Sequence, residues 1–433
     1  MTQRRLVSLL YLTGAALVLA LVGTRAVVGL TETRHQWGGT GMDTFLLVLL
    51  AVGAGVAGLR VLLWLGYRPV RAPEIADLPP LTVVIPAYNE GPHVRRSIDS
   101  ALRSDYPADL LSVIVVNDGS KDDTGEHIDA MARQHPRVRA IHLPANAGKR
   151  HALHAGFKAT QTPFVVTLDS DSTLDADALK HMVAPLVAAP TIGGVAGKVA
   201  VANRGTSLIT RMLAVVYVLG FDFIRAYQSR LRNVWCCPGA LQAYRMELIR
   251  PHLDTWLNQT FLGARCTNGD DHAMTNLVLS LDADTCYQSN AVVRTLVPHT
   301  YKRLCKMYVR WGRSATREGL RALRFAPRRA ARRGARGAAI MLDAIMLPLG
   351  VLLKCVSPLL LLGLLVTNPT LLGPMVLSML LGTLLYSVVY LRSELSLEVV
   401  FAMLYAWFSL LTLFWIQPYA TLTVRRNGWL TRG

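Results

Sequence analysis

None of the six cysteines in this 433-residue chain stands in a CxxC pair, and without that spacing neither a zinc site nor a disulfide framework is indicated. Reduced thiols fit a cytosolic face. No G-x-G-x-x-G follows the first strand-like run, which disfavours a dinucleotide-binding fold. Acidic residues are scarce beside basic ones, 28 Asp and Glu against 46 Lys and Arg, giving a formal charge of +18. Such an excess usually raises nucleic acid. Here 52% of the residues are hydrophobic and many lie in long apolar stretches, so anionic lipid or a phosphorylated substrate is the simpler partner. The length allows one soluble domain of ordinary size and a substantial membrane portion.

An apolar run over residues 6–22 follows Arg4 and Arg5. It lacks the small-residue cleavage site and the short core of a signal peptide, so it is expected to be an anchor. A second run covers residues 45–65. Each is close to the ~20 residues that cross hydrocarbon, and residues 1–70 are expected to hold two transmembrane helices. Arg4 and Arg5 before them, with Arg68 and Arg71 after, place both ends inside. Arg60 interrupts the second run and is expected to snorkel or to face a polar cavity.

Three further apolar segments, at about 338–366, 371–391 and 395–416, make residues 338–418 a second membrane or interface region. Pro348, Lys354 and Pro358 predict a kink in the first. Three crossings would leave Arg425, Arg426 and Arg432 outside, against the charge rule. An even number is therefore expected, with the third segment, which has Glu398 near its start, interfacial or re-entrant.

Between these regions the composition turns soluble. Leu81-Thr82-Val83-Val84-Ile85-Pro86 and Val113-Ile114-Val115-Val116 suit buried strands, with helices at about 92–103 and 123–134. Strand and helix alternating at this spacing predict a parallel sheet with polar loops at one edge, where ligands bind. The strands run out into Ala87-Tyr88-Asn89-Glu90 and Asn117-Asp118-Gly119-Ser120. A third buried strand, at 163–168, ends in Asp169-Ser170-Asp171. Two carboxylates one residue apart repel unless a positive group lies between them. A hard divalent cation carrying phosphate oxygens would serve, and a plain turn is the alternative. Lys149 and Arg150 stand at a helix start, beside backbone N–H groups that favour a phosphate; a solvated basic helix start is the other reading. Tyr88 offers a ring for a base and Asp118 an acceptor for uracil or ribose.

Taken together, Ile85-Pro86-Ala87-Tyr88-Asn89-Glu90, Asn117-Asp118-Gly119-Ser120, Gly148-Lys149-Arg150-His151-Ala152-Leu153 and Asp169-Ser170-Asp171 resemble a family-2 glycosyltransferase of GT-A fold. Trp235-Cys236-Cys237-Pro238-Gly239-Ala240-Leu241, Asn258-Gln259-Thr260-Phe261-Leu262-Gly263 and Gly269-Asp270-Asp271-His272 narrow the likeness to processive membrane synthases of the bacterial hyaluronan and rhizobial chitin-oligosaccharide type. Pro238, Ala240 and His272, where the family has Arg, depart from the pattern. Met307-Tyr308-Val309-Arg310-Trp311 resembles the family's Gln-x-x-Arg-Trp helix with Met307 in place of Gln. Trp429-Leu430-Thr431-Arg432 resembles the family's closing Trp-Gly-Thr-Arg segment with Leu430 in place of Gly.

The resemblance implies an α/β GT-A domain with a Rossmann-like, mostly parallel sheet over residues 78–300, inserted between transmembrane helices. Residues 300–337 would form the Arg-Trp helix and a basic interface segment, and residues 419–433 a cytosolic gating-like tail. Tyr88, Glu90, Asp118, Lys149, Arg150, Asp169 and Arg310 would bind a UDP-sugar, and Asp169 and Asp171 would hold Mg2+ or Mn2+. Asp271 would be the base, acting with Arg310 and Trp311, while Trp311, Trp429, Thr431 and Arg432 would meet the acceptor or close the site. Asp270 would raise the proton affinity of its neighbour if the two were close. The implied activity is inverting polymerisation of a β-linked polysaccharide from UDP-GlcNAc, with or without UDP-GlcA, at the cell membrane with a cytoplasmic catalytic domain. A non-processive transferase making a lipid-linked glycoside, or a membrane protein that binds sugar nucleotide without turnover, are the alternatives.

Two more stretches carry expectations. Residues 205–232, apolar at spacings of three and four with Arg211, Arg225, Arg230 and Arg232 interspersed, predict an amphipathic helix in the membrane interface, with a core helix as the alternative. Arg321, Arg324, Arg328, Arg329, Arg332, Arg333 and Arg336 adjoin an apolar run and predict an anchor on anionic headgroups rather than nucleic acid.

Overall fold

A computed structural model of the chain describes residues 53, 55–367, 369, 372–394 and 396–426. The first apolar run, much of the second, and Trp429, Thr431 and Arg432 lie outside the described residues.

Helix α1 (Gly55–Leu65) leads through an extended stretch to β1 (Leu81–Ala87), α2 (His93–Leu102), β2 (Leu111–Asn117), α3 (Thr124–Gln134), β3 (Val138–His142), α4 (Lys149–Ala159), β4 (Phe164–Leu168), β5 (Ser172–Leu174), α5 (Ala178–Ala188) and β6 (Ile192–Val201). Every residue of β1 and of β4 is buried, because helices cover both faces of the sheet. The chain continues through α6 (Leu208–Val218), opened by a capping box between Ser207 and Thr210, a π-helical segment (Leu219–Arg225) and α7 (Ala226–Arg230). Then follow β7 (Leu241–Arg245), the hairpin β8 (Thr260–Phe261) and β9 (Ala264–Arg265), α8 (Asp270–Ser280), β10 (Asp284–Thr295), α9 (Tyr301–Arg332), α10 (Gly337–Thr367), α11 (Leu372–Glu394), α12 (Val400–Thr412) and α13 (Ile416–Leu422).

The main sheet runs β3-β2-β1-β4-β7-β6-β10-β5. β3, β2, β1 and β4 are parallel, as are β6 and β10. β7 lies antiparallel between β4 and β6 and splits the expected parallel sheet into two blocks. The register that sets Ala87 beside Asn117 brings β1 and β2 to an end side by side, with β4 on the other flank of β1. The loops after all three strands therefore open on one edge. Side chains tie them together: Asn89 N–H donates to Ser120 Oγ (3.0 Å), Lys121 N–H to Asn89 Oδ1 (2.9 Å) and Ser170 Oγ to Glu90 Oε1 (2.8 Å).

Toward the C-terminus, residues Gly334–Thr367 form a helical stretch long and apolar enough to cross a membrane, and α12 with α13 would make a second if that pair, bent by 53°, counts as one span. α10 runs on through Pro348 and Pro358 without a break. Arg60 is paired within the protein: its Nη2 donates to Asp343 Oδ1 on α10 at 2.8 Å. In the stretch expected to lie in the membrane interface, Leu213, Val215 and Val218 are buried in clusters with Leu304 and Ile416 from α9 and α13 and with Tyr390 and Ala402 from α11 and α12, while Leu208 and Ile224 are exposed.

The run of arginines also divides. Arg324, Arg328, Arg332 and Arg336 are exposed. Arg329, 2% exposed, turns inward to Asp284 Oδ1 (3.2 Å) and Asp282 Oδ1 (3.3 Å), and Arg333 reaches Asp284 Oδ1 at 2.8 Å. These two clamp α9 onto the start of β10 and are not headgroup anchors, since the helix turns them away from solvent. Removing a buried partner leaves an uncompensated charge, so Asp284→Ala should cost ~3 kcal/mol or more, whereas Arg324→Ala should cost about 0.5 kcal/mol or less. Chemical denaturation of the detergent-solubilised protein checks the contrast, and equal losses would refute the clamp.

Candidate active site

The open edge of the sheet is completed by the start of α4. Asp118, at the end of β2, accepts hydrogen bonds from the N–H groups of Ala147 and Gly148, each at 2.9 Å, and so fixes the loop that presents Lys149. The Lys149 ammonium forms an ion pair with Asp169 Oδ1. Asp171 accepts from Ser172 Oγ (3.2 Å) and from Thr295 Oγ1 of β10 (3.5 Å). The two carboxylates after β4 are thus held apart by different partners.

A second acidic pair approaches from α8. Gly269 takes φ +72°, and a Cβ there would stand 2.2 Å from Ser314 Oγ, so only glycine fits the turn that starts the helix against α9. Asp270 and Asp271 occupy the first turn, where acids are favoured. Asp271 Oδ1 accepts from the His272 N–H (2.8 Å) and Oδ2 from the Gly239 N–H (3.2 Å). Asp270 is 5% exposed, and its Oδ2 has no hydrogen-bond partner among the described residues.

Lys149 joins the two sides. A Cβ at Gly239 would stand 3.0 Å from Lys149 Nζ and 3.7 Å from Asp271 Oδ2, so the cation paired with Asp169 and the acid on α8 flank the same backbone position. Burial alone would lower the Lys149 ammonium's pKa, but Asp169, Asp270 and Asp271 hold it above the ordinary lysine value. Burial raises Asp169 against the pull of Lys149. Arg310, from α9, is lowered by burial but faces Asp270, Asp271 and Asp169 and stays charged. Next to it Trp311 leaves 42% of its surface exposed, edge-on to Tyr308 (5.6 Å) and tilted toward Tyr217 (6.3 Å).

Tyr217 lies in the field of Arg310, Asp171, Arg225 and Asp169, its hydroxyl raised chiefly by burial. The sequence gives no sign of this, because one tyrosine in an apolar helix looks like packing. Met307, standing where the family has Gln, is buried with Leu213, Leu304 and Ile416; the position fills apolar space. Tyr88 and Glu90 follow β1 at the same edge.

Arg150 and Asp118 both have partners within the chain. Arg150, 2% exposed, points into the interior. Its Nη1 donates to Trp256 O (3.2 Å) and Gln259 Oε1 (3.1 Å), and its guanidinium lies 5.3 Å from the centre of the Trp256 ring. Successive residues on a helix point about 100° apart, which sets Arg150 and Lys149 in different surroundings. Asp118 has each carboxylate oxygen engaged by a backbone N–H of its own chain; each oxygen keeps a second lone pair, so this anchoring is compatible with the expected acceptor role.

Residues 82–253 match the family model described as glycosyl transferase family 2. The chain carries a family 2 glycosyltransferase domain. An N-acetylglucosaminyltransferase of Rhizobium meliloti is 33% identical over 265 residues, 59% of this chain and 62% of that protein. A hyaluronan synthase of Streptococcus pyogenes is 33% identical over 246 residues, 55% of this chain and 58% of its own. The chain thus spans about three-fifths of the length of these curated relatives. A solved mannosyltransferase of Pyrobaculum calidifontis, in complex with GDP-Man and Mn2+, is 20% identical with a TM-score of 0.49, covering 80% of this chain and 97% of that one. The sheet that residues 82–253 help to form is mostly parallel and flanked by helices, an α/β fold.

Lys149 and Arg150 make a paired test, with UDP as the probe. Lys149→Ala should weaken UDP binding about tenfold or more, ~1.4 kcal/mol, while Arg150→Met should lower the melting temperature and leave UDP affinity within about twofold. Calorimetric titration separates them, and a large loss of affinity in Arg150→Met would restore its donor role.

His272 gives a pH signature. Burial lowers its imidazole below the ordinary histidine value of about 6.5, opposed by Glu318 and Asp271 and assisted by Arg225 and Arg317, and its Nε2 is buried without a hydrogen-bond partner among the described residues. Because the folded value is the lower one, the unfolded chain binds the proton first as pH falls through 6.5, and the fold loses stability there. His272→Gln should therefore lose less melting temperature than the parent between about pH 7.5 and pH 5.5; identical losses would show that His272 does not contribute.

Proposed function

We propose that the chain is a processive inverting glycosyltransferase. It polymerises a β-linked polysaccharide of hyaluronan or chitin type from a UDP-sugar, UDP-GlcNAc with or without UDP-GlcA, and passes the product across the membrane. The observation that supports this reading is the place of Lys149, paired with Asp169 and close to Gly239, whose N–H meets Asp271. Donor and acceptor chemistry need such adjacency, because the attacking hydroxyl must reach the anomeric carbon on the face opposite the departing UDP.

Lys149 and Arg310 would take the negative charge of the diphosphate, Arg310 increasingly so as the bond to UDP breaks. Asp271 would accept the proton of the acceptor hydroxyl as its oxygen bonds to the anomeric carbon. Trp311 would lie under the apolar face of the acceptor ring.

Among the described residues no group of three or more His, Cys, Asp or Glu is placed to hold a metal by itself. Asp169 and Asp171 nevertheless suit a hard cation that takes its remaining ligands from phosphate and water. Mg2+ or Mn2+ bound there would neutralise donor phosphate charge. The apolar stretch Gly334–Thr367 and the exposed arginines before and within it support a membrane setting on anionic lipid with the family 2 domain on the cytoplasmic side.

Membranes containing the protein, supplied with UDP-GlcNAc and UDP-GlcA singly and together, should yield a high-mass polymer. A single radiolabelled glycolipid would sink processivity, and no sugar transfer from any UDP-sugar would sink the whole reading. Asp271→Asn should lower turnover by about 10²–10⁴-fold and leave UDP binding intact.

A further inference from the structure

Arg225 belongs to none of the motifs that bear on the reaction, yet the fold delivers it to the loop beside Asp271. The helix formed by α6 and α7 is π-helical over Leu219–Arg225. A π-helical turn of this kind inserts an extra residue and redirects the side chains that follow. Asp222 anchors the segment to the sheet, accepting from Lys198 on β6 (2.6 Å) and from the Tyr287 hydroxyl on β10 (2.8 Å).

Three contacts then fix the Arg225 guanidinium. Its Nη1 donates to Gly220 O (3.0 Å), its Nε to Cys236 O (3.1 Å), and its central carbon sits 4.1 Å from the centre of the Phe221 ring. Two carbonyls in different directions and a ring face suit the planar fork of arginine and not the single ammonium of lysine.

The carbonyl it holds opens the segment Cys236–Gly239. The rest of that segment is pinned by the reaction machinery: the Cys237 N–H donates to Thr275 Oγ1 (3.0 Å), the Gly239 N–H to Asp271 Oδ2 (3.2 Å), and Thr167 Oγ1, from β4, to Gly239 O (3.4 Å). Thr275 Oγ1 in turn donates to Asp271 O (2.8 Å). The segment bridges the donor strand and the base helix, and Arg225 is its outer fastening.

We propose that Arg225 is a positioning residue for sugar transfer: by holding the Cys236 carbonyl it sets the segment whose Gly239 N–H aims the Asp271 carboxylate at the acceptor hydroxyl. This rests on the transferase reading above and adds to it a residue that touches neither substrate.

The test uses the full chain in membranes, with initial rates, UDP calorimetry and melting temperature measured on each variant. Arg225→Gln should lower kcat about 10- to 100-fold, as a displacement near 1 Å can, with the donor KM and the UDP Kd within about twofold of the parent. Arg225→Lys, still able to donate to one carbonyl, should recover part of kcat at the same KM. An unchanged kcat in Arg225→Gln, or a raised donor KM at constant kcat, would overturn the proposal, the latter by making Arg225 a donor ligand. If Arg225→Gln does not fold, Arg225→Lys decides: reduced kcat at parental KM supports positioning, and parental kcat refutes it. An inactive parent sinks the transferase reading and this inference with it, whereas an active parent matched by its variants sinks this inference alone.

Discussion

The candidate site depends on cations placed among carboxylates that would otherwise repel one another. Asp169, Asp270 and Asp271 all act on Lys149 and on Arg310, and in a site shielded from water each such pairing is stronger than at a surface. Without the two cations the carboxylates would face one another with no opposite charge between them. The rest of the architecture can be understood as what brings β4, α4, α8 and α9 to one place.

Helix α9 does most of that holding. It carries Arg310 and Trp311, and about two turns on it grips the segment before the acidic pair: Arg317 Nη2 donates to Asn268 O (2.6 Å) and Oδ1 (2.8 Å). Glu318, wholly buried, accepts from Asn276 of α8 (3.0 Å) and from Arg321 (2.9 Å), the pairing that a buried charge requires. Arg321 also reaches the backbone of the β8 hairpin at Thr260 O. On the other flank Arg313 Nη2 donates to Thr423 Oγ1 (3.0 Å), just beyond α13. One helix therefore sets the distance between the acidic pair of α8, Arg310 with Trp311, and the C-terminal segment.

Two positions where the family resemblance leads one to expect another residue have unlike surroundings. His272 offers a buried nitrogen with no hydrogen-bond partner among the described residues at a position where that resemblance leads one to expect arginine. Glu318 and Asp271 act on that imidazole ahead of Arg225 and Arg317, and nothing in the structure explains histidine there in place of a fixed cation. Met307 differs in kind, since its neighbours are apolar and the exchange of a polar for an apolar side chain suits its surroundings.

Much of this was legible in the order of residues. Unbroken apolar runs in β1, β2 and β4 fixed buried strands, and the polar residues after them had to share an edge because parallel neighbours end together. Acids in the first turn of α8 and a cation at the start of α4 were equally plain. What sequence could not decide is which way a side chain turns once a helix docks. Lys149 and Arg150 are adjacent and alike in charge, yet one enters the cavity and the other lies against Trp256; Arg324 faces solvent while Arg329 is buried on Asp284. The antiparallel insertion of β7, the π-helical turn that aims Arg225 and the approach of Tyr217 to Arg310 likewise arise from contacts between segments far apart in the chain. Local sequence sets backbone preference and period, but orientation is chosen by whichever packing satisfies the most buried groups at once, and that sum exists only in the folded protein.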